Sequence, residues 1–333
     1  MRKVKWGVLG VAKIGVEKAI PAMQRGEVSH IAAITSRDLG KARAAADKLG
    51  IERAFGSYEE LLADSEIEAI YNPLPNELHV PWTLRALEAG KHVLCEKPIA
   101  LDAEEARPLI EARNRSGKLV AEAFMVRYHP QWRRAKELAR DGSIGEPCAI
   151  QTFFSYRLLD PANVRNRPPG GGGLYDIGCY AILTARYVFA AEPTRVVATI
   201  DRDPNFMTDR LASAILEFPG GRHLTFTVGT QLSAHQRVTI VGDAGRIEIM
   251  IPFNAPPERV AEIAIDDGAD LVGGGRRTEQ FPICDQYTLQ GDAFSRAILD
   301  GSPLEFPIED AIANMAVIDA LFRSAKSGSW EKP

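Results

Sequence analysis

The chain has 333 residues, enough for two domains of ordinary size. Hydrophobic residues make up 45% and charged residues 25%, a globular balance that excludes global disorder. Forty Lys and Arg against 44 Asp and Glu give a formal charge of −4, without the basic excess of a general nucleic-acid binder. No run reaches the roughly 18 apolar residues that span a bilayer. The N-terminus leads straight into a strand pattern, so no signal peptide is expected. Cys95, Cys148, Cys179 and Cys284 are too widely spaced for a CxxC pair, a zinc knuckle or a dense disulfide framework. They read as free thiols in a reducing, cytoplasmic compartment.

Up to residue 123, short apolar runs alternate with amphipathic stretches. Val4–Leu9 predicts a strand and Ala12–Arg25 a helix; Val28–Thr35 predicts a strand and Leu39–Leu49 a helix stopped by Gly50. Ser57 and Glu60 have capping-box spacing before another helix. Ile67–Asn72 predicts a strand, Asn76–Ala89 a helix closed by Gly90, and His92–Cys95 a strand. Asp102 and Glu105 form a further N-cap pair before a helix to Arg115, and Leu119–Ala123 predicts the last strand. Such alternation implies parallel strands joined by right-handed crossovers, an α/β doubly wound domain over residues 1–123.

The rhythm then changes. Pro130–Asp141 predicts a helix, Cys148–Arg157 a long strand, and Arg165–Gly173 a Gly/Pro-rich loop before a helix over Leu174–Phe189. Strand-like runs come next at Arg195–Ile200, Leu211–Phe218, His223–Gly229, Arg237–Val241 and Arg246–Ile251, with a hairpin signal at Pro219–Arg222. Two helices, Tyr287–Leu299 and Glu309–Ser327, close the chain. Consecutive strands without intervening helices predict an α+β domain with a large open, mainly antiparallel sheet over residues 124–333.

Gly10-Val11-Ala12-Lys13-Ile14-Gly15 succeeds the first strand and opens the first helix. Gly10 permits the tight turn, Ala12 still allows close backbone approach to a pyrophosphate, and Gly15 lets helix and strand pack. The helix N-terminus offers its free N–H groups to phosphate. At the end of the second strand stands Thr35-Ser36-Arg37-Asp38, where an NAD site would carry an acid for the ribose 2′-hydroxyl. Ser36 can donate to a 2′-phosphate, and Arg37 can stack on adenine while pairing with it. Asp38 lies one position on and reads as the cap of the next helix. These residues predict NADP(H) over NAD(H), the other reading being that Arg37 is a solvated surface arginine. No cluster has metal-ligand spacing.

His92-Val93-Leu94-Cys95-Glu96-Lys97-Pro98, with Tyr71-Asn72-Pro73-Leu74-Pro75-Asn76 before it, resembles the glucose–fructose oxidoreductase/inositol dehydrogenase (Gfo/Idh/MocA) family along essentially the whole chain. The resemblance implies a catalytic role for Lys97 and a cis Lys97–Pro98 bond. To the cofactor site it adds Lys41, Pro73, Leu74, Asn76, His79, Glu96 and Lys97. For His79 a structural role is the other reading, and His92 reads as structural. Gly173-Leu174-Tyr175-Asp176-Ile177-Gly178-Cys179-Tyr180 is similar to the family's Asp-x-x-x-His segment, with the tyrosine of a branch acting on sugars and dihydrodiols. On a helix, Asp176 and Tyr180 project from one face. The resemblance makes them catalytic and substrate-binding together with Lys97, and adds Arg127, Tyr128 and His129 to the substrate cleft; His129 is equally a helix cap. Arg157, Arg165 and Arg167 either meet a sugar or phosphate or are surface charges.

The expected activity is that of an NADP(H)-dependent aldose 1-dehydrogenase-type enzyme, with Tyr180 exchanging the proton and Lys97 favouring its phenolate. Trans-dihydrodiol dehydrogenase or keto-sugar reductase chemistry is the alternative, and a nucleotide-responsive binding protein is the non-enzymatic one. No export signal or N-terminal arm of the kind found in glucose–fructose oxidoreductase is expected, so the coenzyme is expected to exchange. A homodimer or homotetramer through the open sheet is expected by analogy, with Ala212, Ala214, Thr225 and Thr227 on the exposed face.

Overall fold

The apolar runs of the first 123 residues pair as six parallel strands: β1 (Val4–Leu9), β2 (Ser29–Thr35), β3 (Arg53–Phe55), β4 (Ala69–Asn72), β5 (His92–Cys95) and β6 (Val120–Glu122). Their order is β3-β2-β1-β4-β5-β6, the doubly wound arrangement expected. The computed structural model describes residues 2–333. Helix ends obey the chemistry of the sequence: Asp38 accepts from the Gly40 and Lys41 N–H groups, Ser57 from Glu60 and Asp102 from Glu105, and Gly50 closes its helix at φ 64°.

The first helix departs from expectation. It starts at Lys13, with the Val16 N–H bonded to the Ala12 carbonyl at 3.0 Å, widens to a π-turn over Gly15–Ala19, in which the Ile20 N–H reaches back to the Gly15 carbonyl, and returns to α-helix over Ile20–Gln24. Pro21 lacks the N–H that would bond the Glu17 carbonyl, which frees the turn to widen. The short edge strand β3 carries three half-buried residues without alternation, so the sequence pattern gives no sign of it.

The chain forms two units: one comprises the segment ending at Met125 together with Asp285–Ile312, the other Val126–Cys284 together with Ala313–Pro333. The expectation of one continuous second domain over 124–333 therefore needs revision, because the helix Gln286–Asp300 belongs with the parallel sheet. Phe294 lies 5.4 Å from Trp6 of β1, ring to ring, and the Trp6 indole N–H donates to Ser295 Oγ at 3.0 Å. Asp292 accepts from the Glu27 and Val28 N–H groups at 2.9 and 3.2 Å. Phe294 joins the same core cluster as Val4, Trp6, Val8, Ile31 and Ile34.

In the second unit β7 (Pro147–Arg157), β8 (Arg195–Arg202), β9 (Asp209–Phe218), β10 (Arg222–Gly229), β11 (Gln231–Gly242), β12 (Arg246–Ile249), β13 (Ala261–Asp266) and β14 (Arg277–Phe281) form one sheet. The order is β14-β13-β12-β11-β7-β10-β9-β8, antiparallel except where β7 meets β10. Alternation along the strands separates a covered face from an open one. Ala212 and Ala214, expected on the open face, pair with Val228 and Phe226 on the covered side and are buried. Ser213 and Ile215 face outward instead, opposite Thr227 and Thr225. That outer face holds a shallow depression of about 620 Å³, lined by residues such as Thr199, Ser213, Ile215, Thr225, Thr227 and Arg237. No helix among the described residues is long and apolar enough to cross a membrane.

Because Phe294 carries the returning helix onto the parallel sheet, Phe294→Ala should destabilise the protein by about 3–5 kcal/mol, read by chemical denaturation. A change below about 1 kcal/mol would show that this helix contributes no core to the first unit.

Candidate active site

The carboxyl ends of the parallel strands carry most of the residues singled out in the N-terminal unit. Gly10, at the end of β1, has φ +82°, where a Cβ would also stand 3.0 Å from Leu74. Ala12, Lys13, Ile14 and Gly15 form the turn and first helical residues, whose N–H groups have no acceptor within the helix. Lys13 is exposed, 4.0 Å from Glu17. At the end of β2, Ser36 is buried, its hydroxyl accepting from the Asp38 N–H at 3.3 Å. Arg37 is exposed and makes no ion pair or hydrogen bond among the described residues. Asp38 is committed to capping its own helix, as the sequence suggested, and lies 4.0 Å from Lys41. The edge left for a nucleotide is cationic.

After β4, Pro73 and Leu74 are buried and Asn76 half-buried. His79 is 1% exposed. Its Nδ1 lies 2.7 Å from the Pro98 carbonyl and its Nε2 2.7 Å from the Leu74 carbonyl. Burial, with a smaller push from the Lys97 charge, lowers its pKa to about 4, against the pull of the two carbonyls. Its ring ties together the backbones of the turns that follow β4 and β5. The Lys97–Pro98 bond is cis. Lys97 is half-buried, and Glu96 before it is buried, accepting from the Tyr71 hydroxyl at 2.6 Å. Burial and then the Glu96 charge hold the Tyr71 phenol well above its ordinary pKa, so it remains a donor.

In the second unit, a helix that begins as a π-turn over Leu174–Gly178 and continues over Cys179–Phe189 carries Asp176 and Tyr180. Asp176 Oδ2 accepts from the Tyr156 hydroxyl at 2.5 Å, and Oδ1 from Arg165 Nε at 3.0 Å. Burial, reinforced by the Asp176 charge, drives the Tyr156 phenol far above its ordinary range. Arg165 is held fully charged, first by Asp176 and further by Tyr156 and Tyr180. Tyr180 is 6% exposed, its ring 5.4 Å from Phe253 and 6.2 Å from Phe154.

Of the three arginines singled out around the glycine loop, the structure brings Arg165 to Asp176, whereas Arg157 and Arg167 are exposed and Arg167 donates to the Pro161 carbonyl. Arg127 is buried and Tyr128 half-buried, with Arg133 over the Tyr128 ring at 6.0 Å. His129 is a helix cap: Nδ1 accepts from the Gln131 N–H at 3.2 Å, and Nε2 faces Cys284 Sγ at 3.6 Å. Burial lowers its pKa to about 4. Sequence reasoning passed over Tyr156, although it stands two residues from Phe154 on a strand and so shares its face. No group of His, Cys, Asp and Glu among the described residues could hold a metal ion.

A strand–turn–helix with an open N-terminus at the switch point of a doubly wound sheet, joined in sequence to an α+β unit with an Asp–Tyr helix, defines a dinucleotide-dependent oxidoreductase class. A family model described as "Oxidoreductase family, NAD-binding Rossmann fold" matches residues 4–124, and the GFO/IDH/MocA C-terminal domain matches residues 132–248. The chain belongs to the Gfo/Idh/MocA family of oxidoreductases. It is 50% identical to an oxidoreductase of Rhizobium meliloti over 99% of both chains. It is 38% identical to a D-xylose 1-dehydrogenase (NADP(+)) of Haloferax volcanii over 97% of this chain and 98% of that one. Among solved structures, a 3-ketoreductase of Actinomadura kijaniata in complex with NADP and TDP-benzene superposes with a TM-score of 0.90 at 29% identity, covering 97% and 98% of the two chains.

Tyr156→Phe removes one of the groups that hold Asp176. The variant should lose about 1.5–3 kcal/mol of stability, the range for a hydrogen bond to a charged group, read by denaturant unfolding. An unchanged midpoint would show that the 2.5 Å contact contributes nothing net.

Proposed function

We propose that the protein is an NADP(H)-dependent sugar oxidoreductase of the aldose 1-dehydrogenase type, acting on a CH–OH carbon of an aldose or a related polyol or keto-sugar. The observation that carries the reading is the Asp176–Tyr156–Arg165 constellation, one helical turn from Tyr180, in a chain whose first helix is built for pyrophosphate. The choice of NADP rests on Asp38 being used as a cap, which leaves Ser36, Arg37 and Lys41 at the end of β2 for a 2′-phosphate. In this reading the N–H groups from Ala12 to Gly15 bind the pyrophosphate, and Pro73, Leu74, Asn76 and Glu96 complete the cofactor site.

When bound, the nicotinamide supplies the hydride chemistry. The protein's part is position and proton. In the oxidative direction Tyr180 takes the hydroxyl proton of the substrate, and in reduction it returns that proton to the carbonyl oxygen. A free phenol has a pKa near 10; the guanidinium of Arg165 favours its anion, and Lys97 is the catalytic lysine that the family resemblance implies. Asp176, held by Tyr156 and Arg165, accepts from sugar hydroxyls in this reading and orients the reacting carbon. Arg127 and Tyr128 line the substrate, with His129 supporting them as a cap. Keto-sugar reduction is the second reading, favoured by the similarity to the ketoreductase crystallised with NADP and TDP-benzene. The outer face of the eight-stranded sheet, where Ile215 is 42% exposed amid threonines, is proposed as the contact of a homodimer or homotetramer. Four free cysteines suit a reducing compartment such as the cytoplasm.

Incubation with NADP+ and a panel of aldoses, polyols and diols, with the absorbance of reduced coenzyme as the readout, tests the function. Lys97→Ala and Tyr180→Phe should each lower kcat by roughly 10²–10⁴, the range for lost acid–base catalysis, with coenzyme affinity little changed. Tight NADPH binding without turnover of any such compound would favour a nucleotide-responsive binding protein instead. Arg37→Ala should raise KM for NADPH roughly tenfold or more, a lost charge-assisted contact, and spare NADH; equal effects on both coenzymes would remove Arg37 from the 2′-phosphate site.

A further inference from the structure

The helix that carries Asp176 and Tyr180 begins on a glycine turn, and that turn is closed around one carboxylate. Asp209, the first residue of β9, is 1% exposed. Its Oδ2 accepts from the Leu174 N–H at 2.6 Å, and the Gly173 N–H also bonds to the carboxylate. The turn has no room for side chains here. A Cβ on Gly172, which has φ +114°, would stand 1.9 Å from Asp209 Oδ1, and one on Gly173 would stand 3.3 Å from Oδ2. From the same turn, the Asp176 N–H donates to the Gly172 carbonyl at 3.0 Å, and the Gly172 N–H to the Arg165 carbonyl at 2.9 Å. The backbones of Asp176 and Arg165 are thus both tied to the segment that Asp209 grips.

We infer that Asp209 is a positioning residue of the oxidoreductase site, whose charged carboxylate holds the Gly172–Leu174 turn and thereby fixes the placement of Asp176 and Tyr180. An anion at the open end of a helix is favoured by the unpaired N–H groups and the dipole there. Only the ionised form is acceptor-only. A carboxylic acid would turn its O–H toward N–H donors and lose one of the two bonds.

Burial raises the Asp209 pKa to about 6 in spite of those hydrogen bonds. The charged and titratable groups that face it are Arg202 on β8, which favours the anion, and the neutral Tyr156 on β7, whose phenol is itself pushed upward in part by Asp209. Arg165 and Asp176 stand beyond Tyr156. The folded-state value lies above the ordinary 3.8, so the proton is bound more tightly in the folded protein. Stability attributable to this group is therefore full below about pH 4 and falls as pH rises through 6. Positioning runs the opposite way, because it needs the anion: stability is surrendered above pH 6 for an ordered turn.

The inference rests on the proposed roles of Asp176 and Tyr180, and the experiment separates the two. Steady-state kinetics are recorded from pH 5 to 8 with saturating NADP+ and the sugar turned over by the wild type, for the wild type, Asp209→Asn and Tyr180→Phe. Asparagine keeps one acceptor and turns an N–H₂ toward the other donor, so it imitates the protonated acid. Asp209→Asn should lower kcat at pH 8 roughly tenfold, in line with one lost bond to a charged group, with the Kd for NADPH unchanged. The wild-type kcat should fall on an acid limb with an apparent pKa near 6 that Asp209→Asn lacks. Wild-type kcat and an intact acid limb in Asp209→Asn would overturn the role of Asp209. Full activity of Tyr180→Phe would instead overturn the catalytic reading on which it rests. Should Asp209→Asn not fold, the wild-type profile decides: a flat kcat between pH 5 and 7 refutes the inference, and a limb near 6 supports it.

Discussion

The N-terminal unit is organised by the reversal of strand order in its parallel sheet. Strands add outward from β1 in one direction through β2 to β3, and from β4 in the other through β5 to β6. Helices that return on opposite faces leave a crevice at the carboxyl end of the adjacent strands. The Gly10 turn, Ser36 and Arg37, Pro73 and Leu74, and Glu96 and Lys97 all lie just past the carboxyl ends of strands, those of β1, β2, β4 and β5 respectively. Four segments up to about ninety residues apart in sequence are thus gathered by topology before any specific contact is made.

Much of this was legible in the sequence because the signals are local. Strand–helix alternation, the Gly10–Gly15 turn and the Asp38, Ser57 and Asp102 caps each depend on residues within one or two turns. What could not be read is non-local. The helix over Gln286–Asp300 has an ordinary amphipathic pattern, and nothing in it tells which sheet it covers; Trp6, Ser295 and Asp292 decide that through contacts across some 290 residues. Strands β13 and β14 escape a reading of the sequence because Ala261–Asp266 and Arg277–Phe281 mix charged residues into short runs that only pairing makes extended. The parity of β9 differs by one residue from that expected, which exchanges Ala212 and Ala214 for Ser213 and Ile215 on the open face.

The candidate residues show the same division. Lys97, Asp176 and Tyr180 sit in recognisable segments, whereas the groups that orient Asp176 come from a distant strand and from the far side of a loop. Tyr156 looks like any aromatic strand residue, and Arg165 like any loop charge, until the fold places both on one carboxylate. His129 carries two readings in the sequence, and the bond from the Gln131 N–H selects the cap.

The imidazole of His79 has a consequence for how the N-terminal unit responds to change. One rigid five-membered ring spans the carbonyl of Leu74 and the carbonyl of Pro98, so the loop behind β4 and the bend behind β5 share a single strut. In its neutral form that strut carries one proton for two acceptors. A tautomeric exchange would therefore loosen one bend as it tightens the other, with no heavy atom displaced.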